Sequence, residues 1–369
     1  MDIAIIEPVG GHGGMDYYDY GLAYGLGSNG VNVIYYTCDK TTIRHFENVD
    51  TVLLFKKLWV SNVIIKTFRY LKGYLIAFKD IKKRGVTTVH LHFFTFRFID
   101  YLILKLARSM RLTVVATIHD VNSLDKKAKF FIEKKCYKLI DGIILHNEFS
   151  KADFLEKKLL VKNIAIIPHG NYKPFIKELL PNGKKTIFTL LFFGQIKKAK
   201  GLDILIKAIQ IVKENGHSIK LVIAGKAWKD DLDYYIKLIS DLCLDNDIET
   251  HFRYIPDEEV SSFYSRADLV VLPYTEIYQS GALLLAMSYN KPILCSDLAA
   301  FKEIIVEGET GFLFQSQNEK DLASKILYII ENPEKHSPVI ENANLLIESK
   351  YDWKRIGRDT RDFYQLLGA

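Results

Sequence analysis

The chain has only four cysteines, Cys38, Cys136, Cys243 and Cys295, and none of them forms a CxxC or Cys/His pair. That scatter argues against a structural zinc site or a disulfide framework and fits buried thiols in a reducing compartment. Long apolar runs are missing too: no stretch approaches the roughly 18 uninterrupted apolar residues of a membrane span. The opening MDIAIIEPVGG lacks a basic leader region and a cleavable apolar segment, so it reads as a first strand and not as a signal peptide. No GxxxxGK[ST] loop occurs, which removes the Walker class of phosphate sites, and the glycines near the start do not form the GxGxxG dinucleotide fingerprint. Low-complexity tracts are absent as well, and with 49% hydrophobic and 25% charged residues the composition is that of a globular protein.

A chain of 369 residues exceeds one ordinary core and implies two domains. The charge is unevenly shared. Residues 1–180 hold 27 Lys+Arg against 17 Asp+Glu, while the remainder is mildly acidic. A basic front half joined to an acidic back half suggests two different tasks.

Short β-rich runs alternate with helical patterns from end to end. DIAIIE, VNVIYYT, TVLLF, TVHLHFF, LTVVATIH, GIILHN and IAIIP lie in the first half, and TIFTLLFFG, KLVIAG, DIETHFRY, DLVVLP and PILCS in the second. Strands apolar on both faces, alternating with helices, predict parallel, doubly wound α/β sheets. The Pro- and Lys-rich stretch near 173–185 reads as a linker. The expected domains are therefore 1–172 and 186–349, two Rossmann-like units facing a central cleft, with a final helix over 352–369 returning to the first.

In such sheets the ligand site is built by loops after the carboxyl ends of the strands. Five loops carry suggestive residues. PVGGHGGMDYY surrounds His12 with Gly10, Gly11, Gly13 and Gly14 and leads into a helix. TIHD places His119 directly after a strand, whereas His90 and His92 alternate along a strand and suit packing or supporting roles better than metal binding. FFGQIKKAKG brings Lys197, Lys198 and Lys200 to a helix start at Gly201, where they suit phosphate oxygens or simply a solvated turn. PYTEIYQSGALLLAMS carries Glu276, Gln279, Ser280 and Gly281 between a strand and a helix. Its small residues fit either an anion on the helix start or a plain Ser N-cap. FKEIIVEGETGFLF adds little. None of the five loops carries an Asp-x-Asp pair or a complete metal-ligand set.

The order of the Gly-rich first loop, TIHD, IPHG, FFGQIKKAKGLDILIKAI, ADLVVLPY, QSGALLLAMSYNKPIL and EGETGFLF resembles the retaining glycosyltransferases of family 4, over almost the whole chain. The resemblance implies the GT-B fold and a hexosyltransferase moving sugar from a nucleotide diphosphate-sugar, UDP- or GDP-linked, to a saccharide or polyprenyl-linked acceptor in polysaccharide or glycoconjugate biosynthesis. No cofactor and no metal are implied. By the same resemblance, His119 and Lys200 are the catalytic candidates. Gly13, Gly14, Lys197, Lys200, Ser280, Gly281 and Ala282 would hold the diphosphate, and Arg253, Tyr254 and Ile255 the base. His119, Glu276 and Gln279 would meet the donor sugar, and His12, Asp16 and Tyr17 the acceptor.

The sequence also departs from the family pattern. Leu285 stands where the second of two spaced glutamates is usual, Ile277 where the first is, and Gln195 where an arginine is common. These departures keep two alternatives open, a binding or partner subunit without activity and another GT-B enzyme such as an epimerase. Finally, residues 55–84 hold Lys56, Lys57, Lys66, Arg69, Lys72, Lys79, Lys82, Lys83 and Arg84 against a single acid, Asp80, with Trp59, Phe68, Tyr70, Tyr74 and Phe78 among them. That mixture suits an anionic membrane surface or a core-facing amphipathic helix. The expected location is cytoplasmic, peripheral on the inner face of the membrane, and no nucleic-acid partner is expected.

Overall fold

The computed structural model describes residues 1–11, 14–58, 62–121, 129–159, 161–178, 187–227 and 232–368. The chain divides into two compact units, one of Met1–Gly170 with Tyr351–Ala369 and one of Asn171–Lys350.

In the first unit the described residues form a seven-stranded parallel sheet in the order β3-β2-β1-β4-β5-β6-β7. Its strands are β1 (Asp2–Ile6), β2 (Asn32–Cys38), β3 (Val49–Phe55), β4 (Thr88–Phe93), β5 (Thr113–Ile118), β6 (Gly142–Leu145) and β7 (Ile164–Ile166). The second unit has a six-stranded parallel sheet in the order β10-β9-β8-β11-β12-β13. There the strands are β8 (Phe188–Phe193), β9 (Ile219–Ala224), β10 (Ile248–His251), β11 (Leu269–Leu272), β12 (Ile293–Ser296) and β13 (Phe312–Phe314). Helices cover the sheet faces, which is why the central strands are apolar on both sides and fully buried.

Each order reverses once, between β1 and β4 in the first sheet and between β8 and β11 in the second. The crevice beyond the strand ends at such a reversal is where doubly wound sheets take ligands. Of the five loops read from the sequence, four follow β1, β5, β8 and β11, and the fifth segment lies after β12 and runs into β13.

The last helix, Trp353–Leu366, belongs to the first unit because its partner surface is built from glycines. A Cβ on Gly21 would lie 2.1 Å from the Trp353 indole, and one on Gly170 would lie 2.3 Å from it. Gly25 and Gly357 bring the two helix backbones together, since a Cβ on Gly357 would sit 2.0 Å from the Gly25 carbonyl carbon. Such contact requires missing side chains. The start of the second unit is fastened just as locally. Tyr172 N–H donates to Ser288 Oγ at 2.9 Å, and Asn171 Nδ2 donates to Ile347 O at 3.0 Å. The segment from Asn171 to Glu178 thus lies in the second unit, while most of the Pro/Lys-rich stretch falls outside the described residues.

No helix among the described residues is long and apolar enough to cross a membrane. The Val63–Lys83 helix splits along its length. Its second half packs Tyr74, Phe78 and Ile81 into the core, with Tyr74 ringed by Phe55 at 5.3 Å and Tyr70 at 5.2 Å. Its first turns stand clear, with Val63 73%, Ile64 81% and Phe68 66% exposed. Of the aromatic residues grouped together by sequence, then, Tyr74 and Phe78 are core and Phe68 is exposed. Trp59 lies outside the described residues.

Candidate functional site

In the second unit two loops converge at the reversal of strand order. β8 and β11 are paired, Leu190 with Leu269 and Leu191 with Val270, so the loops that follow them leave side by side. After β8 a 3-10 turn over Lys198–Lys200 leads to Gly201, which caps the Leu202–Glu214 helix with φ of 63°. That left-handed value, and the 1.9 Å that would separate a Gly201 Cβ from Pro273 O, restrict the position to glycine. Thr275 N–H donates to Ala199 O at 2.9 Å and ties the two loops together. Lys200 Nζ rests 3.6 Å from the centre of the buried Tyr274 ring, a cation–π contact that orients the side chain.

The loop after β11 ends at the Gly281–Ser288 helix. Ser280 is its N-cap, with Oγ accepting from Leu283 N–H at 3.2 Å. The plain N-cap reading of this turn therefore holds. It also leaves room for a ligand: among the described residues no hydrogen bond engages the Gly281 or Ala282 N–H, and both residues are half-exposed. Unpaired amides at the positive end of a helix suit an anion. Gly281 has a local reason of its own, because a Cβ there would lie 2.5 Å from Tyr172 Oη. Glu276 is exposed, and Leu285 is half-buried on the helix.

The residues assigned to a base lie further along the same edge. β10 is the outer strand, separated from β8 by β9. The loops step across this gap: Gly194 N–H donates to Ala224 O at 2.9 Å and Gly225 N–H to His251 O at 3.1 Å. Arg253 spends its guanidinium on Glu259 at 3.1 Å, Tyr254 is exposed, and Ile255 is buried. A neighbouring cluster escaped sequence reading: Glu249 accepts from Arg266 and pairs with His251, and these partners hold its carboxyl down at about 2.

The first unit presents quite different chemistry. His12 and Gly13 lie outside the described residues, and Gly14 opens the Gly14–Gly27 helix. Asp16 Oδ1 accepts from Gly11 N–H at 2.8 Å and from Thr41 Oγ1 at 3.3 Å, so its carboxylate shapes the Gly-rich loop. Tyr17 lies under Arg44, whose Cζ is 5.1 Å from the ring centre.

His119 follows β5 as expected, but it is one of five clustered histidines. His92 on β4, His146 after β6 and His169 after β7 stand at the ends of adjacent strands. His119 Nε2 meets His92 Nδ1 at 3.4 Å, and His119 Nδ1 meets His146 Nε2 at 3.3 Å. His146 Nδ1 reaches Ile167 O at 2.9 Å. Tyr18 packs its ring against His92, His119, His146 and His169 with centres 5.0 to 5.4 Å apart. Behind them His90 bonds Tyr364 Oη at 2.6 Å and Thr117 Oγ1 at 2.8 Å. Burial drives every one of these imidazoles toward the neutral form, His90 and His146 to about 3 and His169 to about 4. Among the described residues no three ligating side chains are arranged to hold a metal.

Both ring nitrogens of His119 are thus consumed within the unit, and Phe94 stacks on its ring at 4.7 Å. A hydrogen bond from this side chain to a sugar would have to break one of those bonds. His146 and His169 were not picked out from the sequence. The available signal was the regular interval, since His92, His119 and His146 are 27 residues apart, one strand-helix unit each.

Comparison with known proteins bears on both units. The family model described as Glycosyltransferase Family 4 matches residues 12–170, and that described as Glycosyl transferases group 1 matches residues 174–345. An uncharacterised glycosyltransferase of Methanocaldococcus jannaschii is 27% identical over 325 residues, covering 85% of this chain and 86% of that protein. Among solved structures, sucrose-phosphate synthase from Thermosynechococcus elongatus superposes with a TM-score of 0.80 at 19% identity, over 99% of this chain and 98% of the other. HepE of Anabaena in complex with UDP-glucose gives 0.73 at 15% identity, over 100% and 99%. The structural likenesses fix the fold as GT-B. With the family models, they support a glycosyltransferase.

Proposed function

We propose that this GT-B glycosyltransferase is a retaining hexosyltransferase, taking its sugar from a UDP- or GDP-sugar and passing it to a saccharide or lipid-linked saccharide. One observation carries the reading: at the reversal between β8 and β11 the Lys197–Gly201 loop is tied to residues 273–275, the start of the loop that leads to the Gly281–Ser288 helix. A diphosphate placed there would meet the Lys200 ammonium, with Lys197 beside it, and the open amides of Gly281 and Ala282. HepE, which shares the fold, binds UDP-glucose.

Transfer would then proceed by electrostatic catalysis. Negative charge builds on the leaving diphosphate as the sugar–oxygen bond breaks, and a fixed cation and helix start lower the energy of that state most. The departing phosphate accepts the proton of the attacking hydroxyl, so neither a metal nor a separate base enters the scheme. Isothermal titration with UDP and GDP, followed by donor turnover, tests it. The reading fails if neither nucleotide binds, or if binding is unchanged in Lys200→Ala.

A second reading, binding without transfer, is favoured by two observations: His119 offers no uncommitted ring nitrogen, and Leu285 stands where the family pattern has a glutamate. Tight nucleotide-sugar binding with no hydrolysis or transfer would select it.

We also read the exposed start of the Val63–Lys83 helix as lipid-facing. Val63, Ile64, Ile65 and Phe68 stand in solvent beside Lys66 and Lys72, and basic residues near an anionic surface contribute about 1 kcal/mol each. That reading favours a polyprenyl-linked acceptor and a peripheral position on the inner face of the membrane.

A further inference from the structure

The buried imidazole row ends in an unsatisfied pair. His92 Nε2 and Asp19 Oδ1 face each other 3.3 Å apart, both fully buried, and neither has a hydrogen-bond partner among the described residues. The other end is unambiguous. Ile167 O only accepts, so His146 must carry its proton on Nδ1. A neutral His146 then has a bare Nε2, which accepts from His119 Nδ1–H. His119 Nε2 is bare in turn and accepts from His92 Nδ1–H. His92 Nε2 is left bare, aimed at a carboxyl oxygen. Two acceptors cannot satisfy each other, and an unpaired buried polar atom is costly. One proton between them closes the row.

We propose that Asp19 is held as a neutral acid whose proton, directed at His92 Nε2, closes the row of tautomers that Ile167 O sets from the other end through His146, His119 and His92. Asp19, His92 and His146 are thereby positioning residues for His119. Its functional weight rests on the reading that His119 borders the donor sugar; the tautomers themselves do not depend on that reading.

The surroundings favour the neutral acid over a carboxylate–imidazolium pair. Asp19 lies on the Gly14–Gly27 helix and faces Glu7 at the end of β1 and Asp16 on its own helix, so burial and two like charges push its carboxyl well up. Glu7 is itself raised to about 7, chiefly by burial. From β2, Tyr35 Oη donates to Asp19 Oδ2 at 3.0 Å, which a protonated acid still accepts. On the other side, burial together with His90, stacked at 4.9 Å, and His146 holds His92 well below its ordinary range. Tyr18, His169 and Trp353 enclose the row without adding charge. His119 is consequently a neutral ring of fixed orientation whose bare Nε2 is already engaged by His92 Nδ1–H.

Asparagine is the test substitution, because its amide can turn an N–H toward His92 Nε2 and keep its oxygen as the acceptor for Tyr35 Oη, as a protonated carboxyl does. The full chain, labelled with ¹⁵N-histidine, is measured by long-range ¹H–¹⁵N correlation at neutral pH. In the native protein His92, His119 and His146 are expected each to show one protonated Nδ1 and one bare Nε2, and the infrared spectrum a protonated-carboxyl band. Asp19→Asn should lose the Asp19 share of that band, leaving the part Glu7 contributes, and keep all three tautomers, whereas Asp19→Leu should shift the His92 Nε2 signal to that of a ring nitrogen with no donor. An imidazolium at His92 in the native protein, or loss of the tautomers in Asp19→Asn, overturns the proposal without any need for Asp19→Leu to fold. Addition of UDP-glucose separates the two readings: fixed tautomers with no shift at His119 support the lock and count against donor contact at this residue.

Discussion

The two units use the same topology to opposite electrostatic ends. At the reversal in the second sheet, the Lys200 amine lies against a tyrosine face and helix amides are left without a hydrogen-bond partner among the described residues. Along the strand ends of the first sheet, four imidazoles and two carboxyls are buried so deeply that neutrality is the cheaper state, and the half-buried His169 is pushed the same way. A doubly wound sheet decides where groups meet; depth of burial decides what charge they carry there.

Acid should separate the units by the largest margin. His90 and His146 are pushed down to about 3 and His169 to about 4, and His92 and His119 well below their ordinary range, whereas unfolded histidine binds its proton from about 6.5. Stability held by the first unit above pH 6.5 is therefore lost as the pH falls through that window, at about 1.4 kcal/mol per pH unit for each proton in the difference. Glu7 and Asp19 work the other way, being protonated in the native state, but five imidazoles outnumber two carboxyls. In the second unit Glu249 is depressed to about 2, so its contribution is lost only as the pH falls below about 4.5. Hydrogen exchange read separately from peptides of each unit at pH 7, 6 and 5 should show the first loosening by several kcal/mol while the second holds. Equal loosening breaks the contrast.

Removing the indole that seats the last helix comes next. Trp353→Ala should cost the first unit roughly 3–5 kcal/mol, and the same exchange measurement should find the second unit unchanged. An equal loss in both would mean they unfold as one.

At the charged site, Lys200→Ala should weaken nucleoside diphosphate binding by about 1.5–3 kcal/mol, measured by calorimetry. His119→Gln is expected to change that affinity far less, since a neutral residue in the other unit is not assigned to the phosphates. A larger loss from His119→Gln than from Lys200→Ala would reverse the assignment.

Smaller still is the N-cap. Ser280→Ala should cost about 1 kcal/mol of second-unit stability with little change in nucleotide affinity. Gly281→Val should damage binding more, both by crowding the open amide and by striking Tyr172. Equal, small effects on binding would leave Ser280 a cap and nothing else. For the exposed helix start, sedimentation with anionic and neutral vesicles gives the answer. Pelleting only with anionic lipid at low salt, reversed at high salt, is the expected result, and no pelleting with either would favour a soluble acceptor.

Much of this organisation was legible in the sequence because it follows from local pattern. Apolar runs such as TVVATI and LVVL are strands wherever a sheet is covered on both faces, and their alternation with helices dictates parallel order. Glycine at 201 before an apolar helix, and serine at 280 before another, are helix-start chemistry that needs no tertiary knowledge. The short β13, Phe312–Phe314, is not among the strands that the sequence predicts, since three residues give no period. What only the tertiary structure decided was adjacency. The sequence places a histidine every 27 residues, but only the order β4-β5-β6-β7 turns that interval into one hydrogen-bonded row. Likewise, Tyr74 and Phe78 became core, and Val63, Ile64 and Phe68 surface, according to which turns of one helix found Phe55 to pack against. Propensity acts over a few residues, whereas burial and proton sharing depend on neighbours far along the chain, and those are set when the sheet assembles.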